Sequence, residues 1–137
     1  MRTTRYLFVL VLFFITIFGC DERTVEVEEY TIDTVTVSPD TIVIVPGNTQ
    51  SDSKIVATIM DEDDFPVENE NVRFETNLGK LLHLGARVGD IYQNVMTDEN
   101  GEADVYLYEQ DVAGMAQIDI AVYGDSQTVH VMIVNPE

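Results

Sequence analysis

The sequence predicts an all-β fold, an antiparallel sandwich or barrel, and three observations carry that expectation. Apolar residues alternate with polar ones at a period of two from Thr31 onward. Turn-forming residues interrupt the runs at intervals of about 8–15 residues, the punctuation of short paired strands. No stretch after residue 20 keeps helical spacing over roughly three turns. Successive side chains of a strand point to opposite faces, so each alternating run lines one buried face.

In chain order, Val35 and Val37 alternate with Thr34 and Thr36, and Ile42 and Ile44 follow the Pro39-Asp40 break. Ile55, Ala57 and Ile59 alternate with Val56, Thr58 and Met60, and Val72 and Phe74 flank Arg73. Ala103, Val105 and Leu107 form the next series, then Ala116, Ile118, Ile120 and Val122, then Val129, Val131 and Ile133. Breaks fall at Pro46-Gly47-Asn48, Asp61 to Pro66, Asn77 to Gly79, Asn100-Gly101 and Gly124-Asp125. Lys80 to Val88 reads either as a short edge strand or as an irregular loop.

The chain has 137 residues, with 25 acidic against 7 basic side chains and a net charge of −18. That length allows one domain with an appendage, and excludes a barrel enzyme of ~250 residues. The charge excludes nucleic acid as a partner, because no basic stripe exists to release counterions from phosphates. It also excludes adhesion to anionic lipid through a polybasic face. With 1 Cys there is no disulfide framework within the chain, so stability rests on burial.

The N-terminus predicts an export signal. Arg2 and Arg5 precede an apolar run from Tyr6 to Phe18, interrupted by Thr16. That run is short of the ~20 residues that span ~30 Å of hydrocarbon, and fits the apolar core of a signal peptide. Ile17-Phe18-Gly19-Cys20 resembles the lipobox of bacterial lipoproteins, in which the Cys becomes the first mature residue and carries lipid on its sulfur. The resemblance makes Cys20 the lipid attachment site, with the membrane as a partner through it. Residues 1–19 are then the lipoprotein signal peptide, residues 20–30 an acidic tether, and residues 31–137 the β domain. Asp21 to Tyr30 holds five acids and one base. It reads as a self-repelling spacer of about 30–35 Å at ~3.3 Å per residue.

The segments IVATIMDEDDFPVENENVRFETNLGKL, TDENGEADVYL, AGMAQIDIAV and TVHVMIV, between Ile55 and Val134, resemble the invasin/intimin-type bacterial Ig-like domain, group 1. Asp61, Pro66, Val67, Val72, Phe74, Gly79, Asp98, Gly101, Ala103, Leu107, Gly114 and Ile118 fall on matching positions. Asp64 stands where the family's turn usually has Gly, and Asp tolerates the left-handed backbone better than most residues. The resemblance implies an Ig-like antiparallel β-sandwich of about seven or eight strands. It also implies a role in adhesion or structural spacing, because members stack such domains in surface adhesins. Pro66, which cannot donate to a ladder, suits the first residue of the strand that carries Val72 and Phe74.

Chemistry-bearing patterns are sparse. His83 and His130 are the two imidazoles, and neither has a Cys or His partner at zinc spacing. No Gly-x-Ser-x-Gly elbow surrounds a Ser, and no phosphate-cradling Gly loop ends in Lys-Ser or Lys-Thr. Asp61, Asp63 and Asp64 lie in a run of four acids that could offer oxygen ligands to calcium, although the spacing departs from an EF-hand loop. Tyr106 and Tyr108 alternate outward on one strand and are the candidate partner surface. These readings predict a lipid-anchored, non-enzymatic envelope protein with no cofactor, in the outer membrane. It would present one Ig-like module to an envelope protein or a glycan. The alternative is a small-ligand or calcium-binding envelope protein using the acidic loops.

Overall fold

The computed structural model describes residues 28–45, 52–85, 88–108 and 111–137. The signal peptide, Cys20, most of the tether and the Pro46-Gly47-Asn48 turn lie outside them. The described residues hold nine strands and no helix: β1 (Thr31–Ser38), β2 (Thr41–Val43), β3 (Asp52–Met60), β4 (Asn71–Thr76), β5 (Lys80–Leu82), β6 (Tyr92–Met96), β7 (Glu102–Tyr108), β8 (Gly114–Val122) and β9 (Asp125–Val134). They form two facing sheets, ordered β1-β3-β7-β5 and β2-β9-β8-β4-β6.

Alternation explains both layers. Ile55, Ala57, Ile59, Val105 and Leu107 from one sheet are fully buried against Val72, Phe74, Ile118, Ile120 and Val131 from the other. Each buried Ile, Val, Leu or Phe among them contributes about 1.5–3 kcal/mol by leaving water, which replaces the covalent staples the chain lacks. Small Ala57, Ala103 and Ala116 are buried among the larger side chains, so the two inner faces interdigitate.

β2 departs from the expected antiparallel pattern. The chain leaves β1 at Pro39 and crosses to the second sheet, where β2 runs parallel to β9. Ser53, the second residue of β3, is buried, and its hydroxyl donates to the Pro39 carbonyl at 2.6 Å.

β1 also differs from a regular strand. A bulge between Ile32 and Thr34 shifts its parity, so buried Ile32 and half-buried Val35 and Val37 share the inner side. Within the stretch from Lys80 to Val88, Lys80–Leu82 is a three-residue edge strand, and a turn follows at Leu84-Gly85. Pro66 is not the first residue of a strand. It forms an isolated bridge with Met60, and β4 begins at Asn71.

Candidate functional site

The pole at which the chain enters the sandwich gathers most of the acidic loops. Asp61 follows β3 directly and folds the turn onto itself, its Oδ1 accepting the amides of Asp63 and Phe65 at 2.9 Å each. Asp64 adopts the left-handed backbone that its position requires, with φ of 63°. In the neighbouring hairpin, Asp98 Oδ1 accepts the amides of Asn100 and Glu102 at 2.8 and 3.0 Å. Those amides hold the Asp98 carboxyl below the usual carboxylate range, the Glu102 bond first. Gly101, with φ of 74°, lets the hairpin close beneath the Asp61 turn.

Between the loop from Asp61 to Glu68 and residues 28–30 lies an open cleft of about 740 Å³. Its wall carries the carboxylates of Glu28, Glu29, Asp61, Glu62, Asp63 and Glu68, beside Tyr30, Pro66 and Val67. Tyr30 donates its hydroxyl to Glu28 Oε2 at 2.6 Å. That bond raises the phenol's pKa above its ordinary value, with burial and the surrounding carboxylates adding to it. The sequence singled out Asp61, Asp63 and Asp64. Asp61 and Asp63 line the cleft, whereas Asp64 is not among its lining residues. Glu28 and Glu29 have no motif of their own, and only the path of the chain into β1 brings them here. No group of three or more His, Cys, Asp or Glu among the described residues is placed to hold a metal ion.

No family model matches the sequence, and neither does any curated protein. Solved structures do match. A C-terminal 282-residue fragment of intimin, solved in complex with the intimin-binding domain of the translocated intimin receptor, superposes with a TM-score of 0.59 and 26% identity over 74% of this chain. The Yersinia pseudotuberculosis adhesin InvE gives 0.55 and 20% over 74%, and the D00-D0 domain of intimin gives 0.55 and 16% over 75%. The chain carries an Ig-like β-sandwich similar to those of intimin and InvE. It spans 32% of the intimin fragment, 26% of InvE and 46% of the D00-D0 structure.

On the outer face of this Ig-like domain, Tyr106 and Tyr108 project from β7, both half-buried. Lys54, opposite Tyr106 on β3, holds its ammonium 5.9 Å from that ring's centroid and 3.5 Å from Asp104. Tyr108 is tucked beneath Gly89, where any added Cβ would collide with the phenol ring. The two tyrosines are therefore packed across strands, Tyr106 beside Lys54 and Tyr108 against Gly89. His83 Nδ1 lies 3.0 Å from the Asp104 carbonyl, and exposed His130 stands opposite Gln117 on the other sheet.

Two further features had no sequence signal. Thr97, buried just after β6, donates its hydroxyl to the Val67 carbonyl and accepts the Glu70 amide. Asp119 accepts from the Thr128 hydroxyl and the Gln117 amide, which lower its pKa below the ordinary value, Thr128 first.

Proposed function

We propose that this chain is a lipid-anchored cell-envelope protein without enzymatic activity, which presents its Ig-like domain to a protein partner. Cys20 holds the outer membrane, residues 20–30 give reach, and the sandwich supplies a rigid binding body. The observation that carries the reading is the likeness to the intimin fragment, which was solved bound to a receptor domain. The signal-like N-terminus and Cys20 support the envelope address. The non-enzymatic part is supported by the acidic cleft's chemistry: its carboxylates face solvent without a nucleophile–base pair among the described residues, and Asp61 spends an oxygen on holding its own turn.

Metabolic labelling with palmitate in a bacterial host tests the anchor. The wild-type chain takes up label and Cys20→Ala does not, and an unlabelled wild-type chain overturns the reading. Protease treatment of intact cells, read by loss of the full-length band, then places the domain on the outer or the inner side of the envelope.

A further inference from the structure

A sheet edge leaves backbone donors and acceptors unpaired, and proteins ordinarily blunt such edges. Three of the four edges here are blunted. Along β1, the bulge near Ile32 is reinforced from the other sheet. The Ile32 amide donates to Asp125 Oδ2 at 2.9 Å, and its carbonyl accepts from Gln127 Nε2 at 2.6 Å. β5 has three residues, and both backbone groups of Leu81 are taken by Asp90 at 2.8 and 3.0 Å. β2 also has three residues and follows Pro39 closely.

β6 lacks these devices. Its pairing with β4 is regular, without Pro, bulge or Lys. The Thr76 amide bonds the Ile91 carbonyl at 2.8 Å, and the Thr97 amide bonds the Glu70 carbonyl at 2.9 Å. Those bonds fix the phase of the ladder: Ile91, Gln93, Val95 and Thr97 turn their backbone groups toward β4. Tyr92, Asn94 and Met96 therefore aim their N–H and C=O groups away from the sheet, and no hydrogen bond among the described residues reaches them. Their side chains lie on the outer face, with Tyr92 47% and Met96 56% exposed. In a chain with 25 acids, Ile91 to Thr97 carries no charge, yet Asp90 and Asp98 bracket it.

We propose that the β6 edge docks an extended strand of a partner protein, uncharged along its centre and carrying Lys or Arg at both ends. This deepens the partner-binding role proposed above and rests on it. Main-chain bonds to Tyr92, Asn94 and Met96 give the strand its grip, and alternate side chains settle against Tyr92 and Met96. Charge selects the occupant. Asp90 and Asp98 flank the strand at its two ends, one just before Ile91 and one just after Thr97, and basic residues at the two ends of an extended partner match them. A second copy is a poor occupant, because antiparallel pairing centred on Asn94 sets Asp90 of one copy against Asp98 of the other. The net charge of −18 on each adds to that repulsion.

The test is fluorescence anisotropy on the detergent-solubilised full chain with the labelled peptide Lys-Thr-Val-Thr-Val-Thr-Val-Thr-Lys and its Glu-ended counterpart. The Lys-ended peptide binds, and the Glu-ended one binds at least about tenfold more weakly. Asn94→Pro removes the outward N–H without touching the β4 ladder and abolishes binding, with circular dichroism and the melting temperature confirming the fold. Asp90→Asn with Asp98→Asn keeps the acceptor oxygens and brings the two peptides to within about threefold. The proposal is overturned if neither peptide binds, if both bind the wild type alike, or if folded Asn94→Pro binds fully. A dimer in sedimentation that Asn94→Pro dissolves also overturns it, in favour of a second copy. Each of these outcomes leaves the palmitate result untouched, so the two readings fail separately.

Discussion

Gly101 and Ile59 are in contact through their backbones. The Ile59 amide donates to the Gly101 carbonyl at 2.8 Å, and a Cβ on Gly101 would stand 2.5 Å from the Ile59 carbonyl oxygen. This contact seats the Asp98 hairpin against the end of β3. Gly101→Val adds both left-handed strain and a backbone collision, and is expected to cost about 2–4 kcal/mol. Urea denaturation checks it: the midpoint falls while the slope stays constant. An unchanged midpoint shows that the hairpin is not seated this way.

Thr97 joins two loops through one hydroxyl, bonding Val67 at 2.6 Å and Glu70 at 2.9 Å. Thr97→Val keeps the shape and orphans both backbone groups, so a loss of about 1–3 kcal/mol is expected, with Thr97→Ser restoring most of it. Thermal unfolding of the three proteins decides the matter. Equal stability of the Val and Ser variants contradicts a hydrogen-bonding role.

The Asp98 carboxyl is depressed in the folded chain by the amides of Glu102 and Asn100. A depressed carboxylate stabilises the fold above its unfolded pKa, and that contribution fades as pH falls through the folded value. Wild-type stability is therefore expected to drop below about pH 4 more steeply than that of Asp98→Asn, which keeps the acceptor oxygen but does not titrate. Denaturation at stepped pH reads the two slopes, and parallel curves refute the assignment.

Calcium is expected to leave the protein's melting temperature where an equal ionic strength of magnesium leaves it. Asp61 has committed an oxygen to its own turn, and Asp64 lies outside the cleft lining. A saturable rise specific to calcium, by mass action on the native state, would restore the acidic loops as a metal site.

Much of the fold was legible because burial follows parity. Ile55, Ala57 and Ile59, and likewise Ile118 and Ile120, lie where their alternation places them. β6 was missed because Val95 is its sole fully buried apolar side chain, with half-buried Gln93 as its inward neighbour. Gln93 spends its amide on the Leu81 carbonyl at 3.2 Å, a bond between sheets that no local pattern announces. The acidic cleft was half legible. Asp61 and Asp63 sit in a visible run and Glu68 follows them on the same connection, whereas Glu28 and Glu29 join them only through the long-range pairing of β1 with β3. Tyr106 and Tyr108 were legible as outward residues, but the cover of Gly89 over Tyr108 depends on a loop without periodicity.

The clasp of Asp125 and Gln127 on Ile32 governs how the molecule bears tension. Thr31 leaves the sandwich at the pole where β9 begins, while Val134 ends β9 at the opposite pole. A load applied through Tyr30 and drawn off beyond Val134 runs along the strands. The rungs between β1 and β3 then slide together in shear instead of parting one after another like a zip. Pulled at Tyr30 and beyond Val134, the domain resists as a unit.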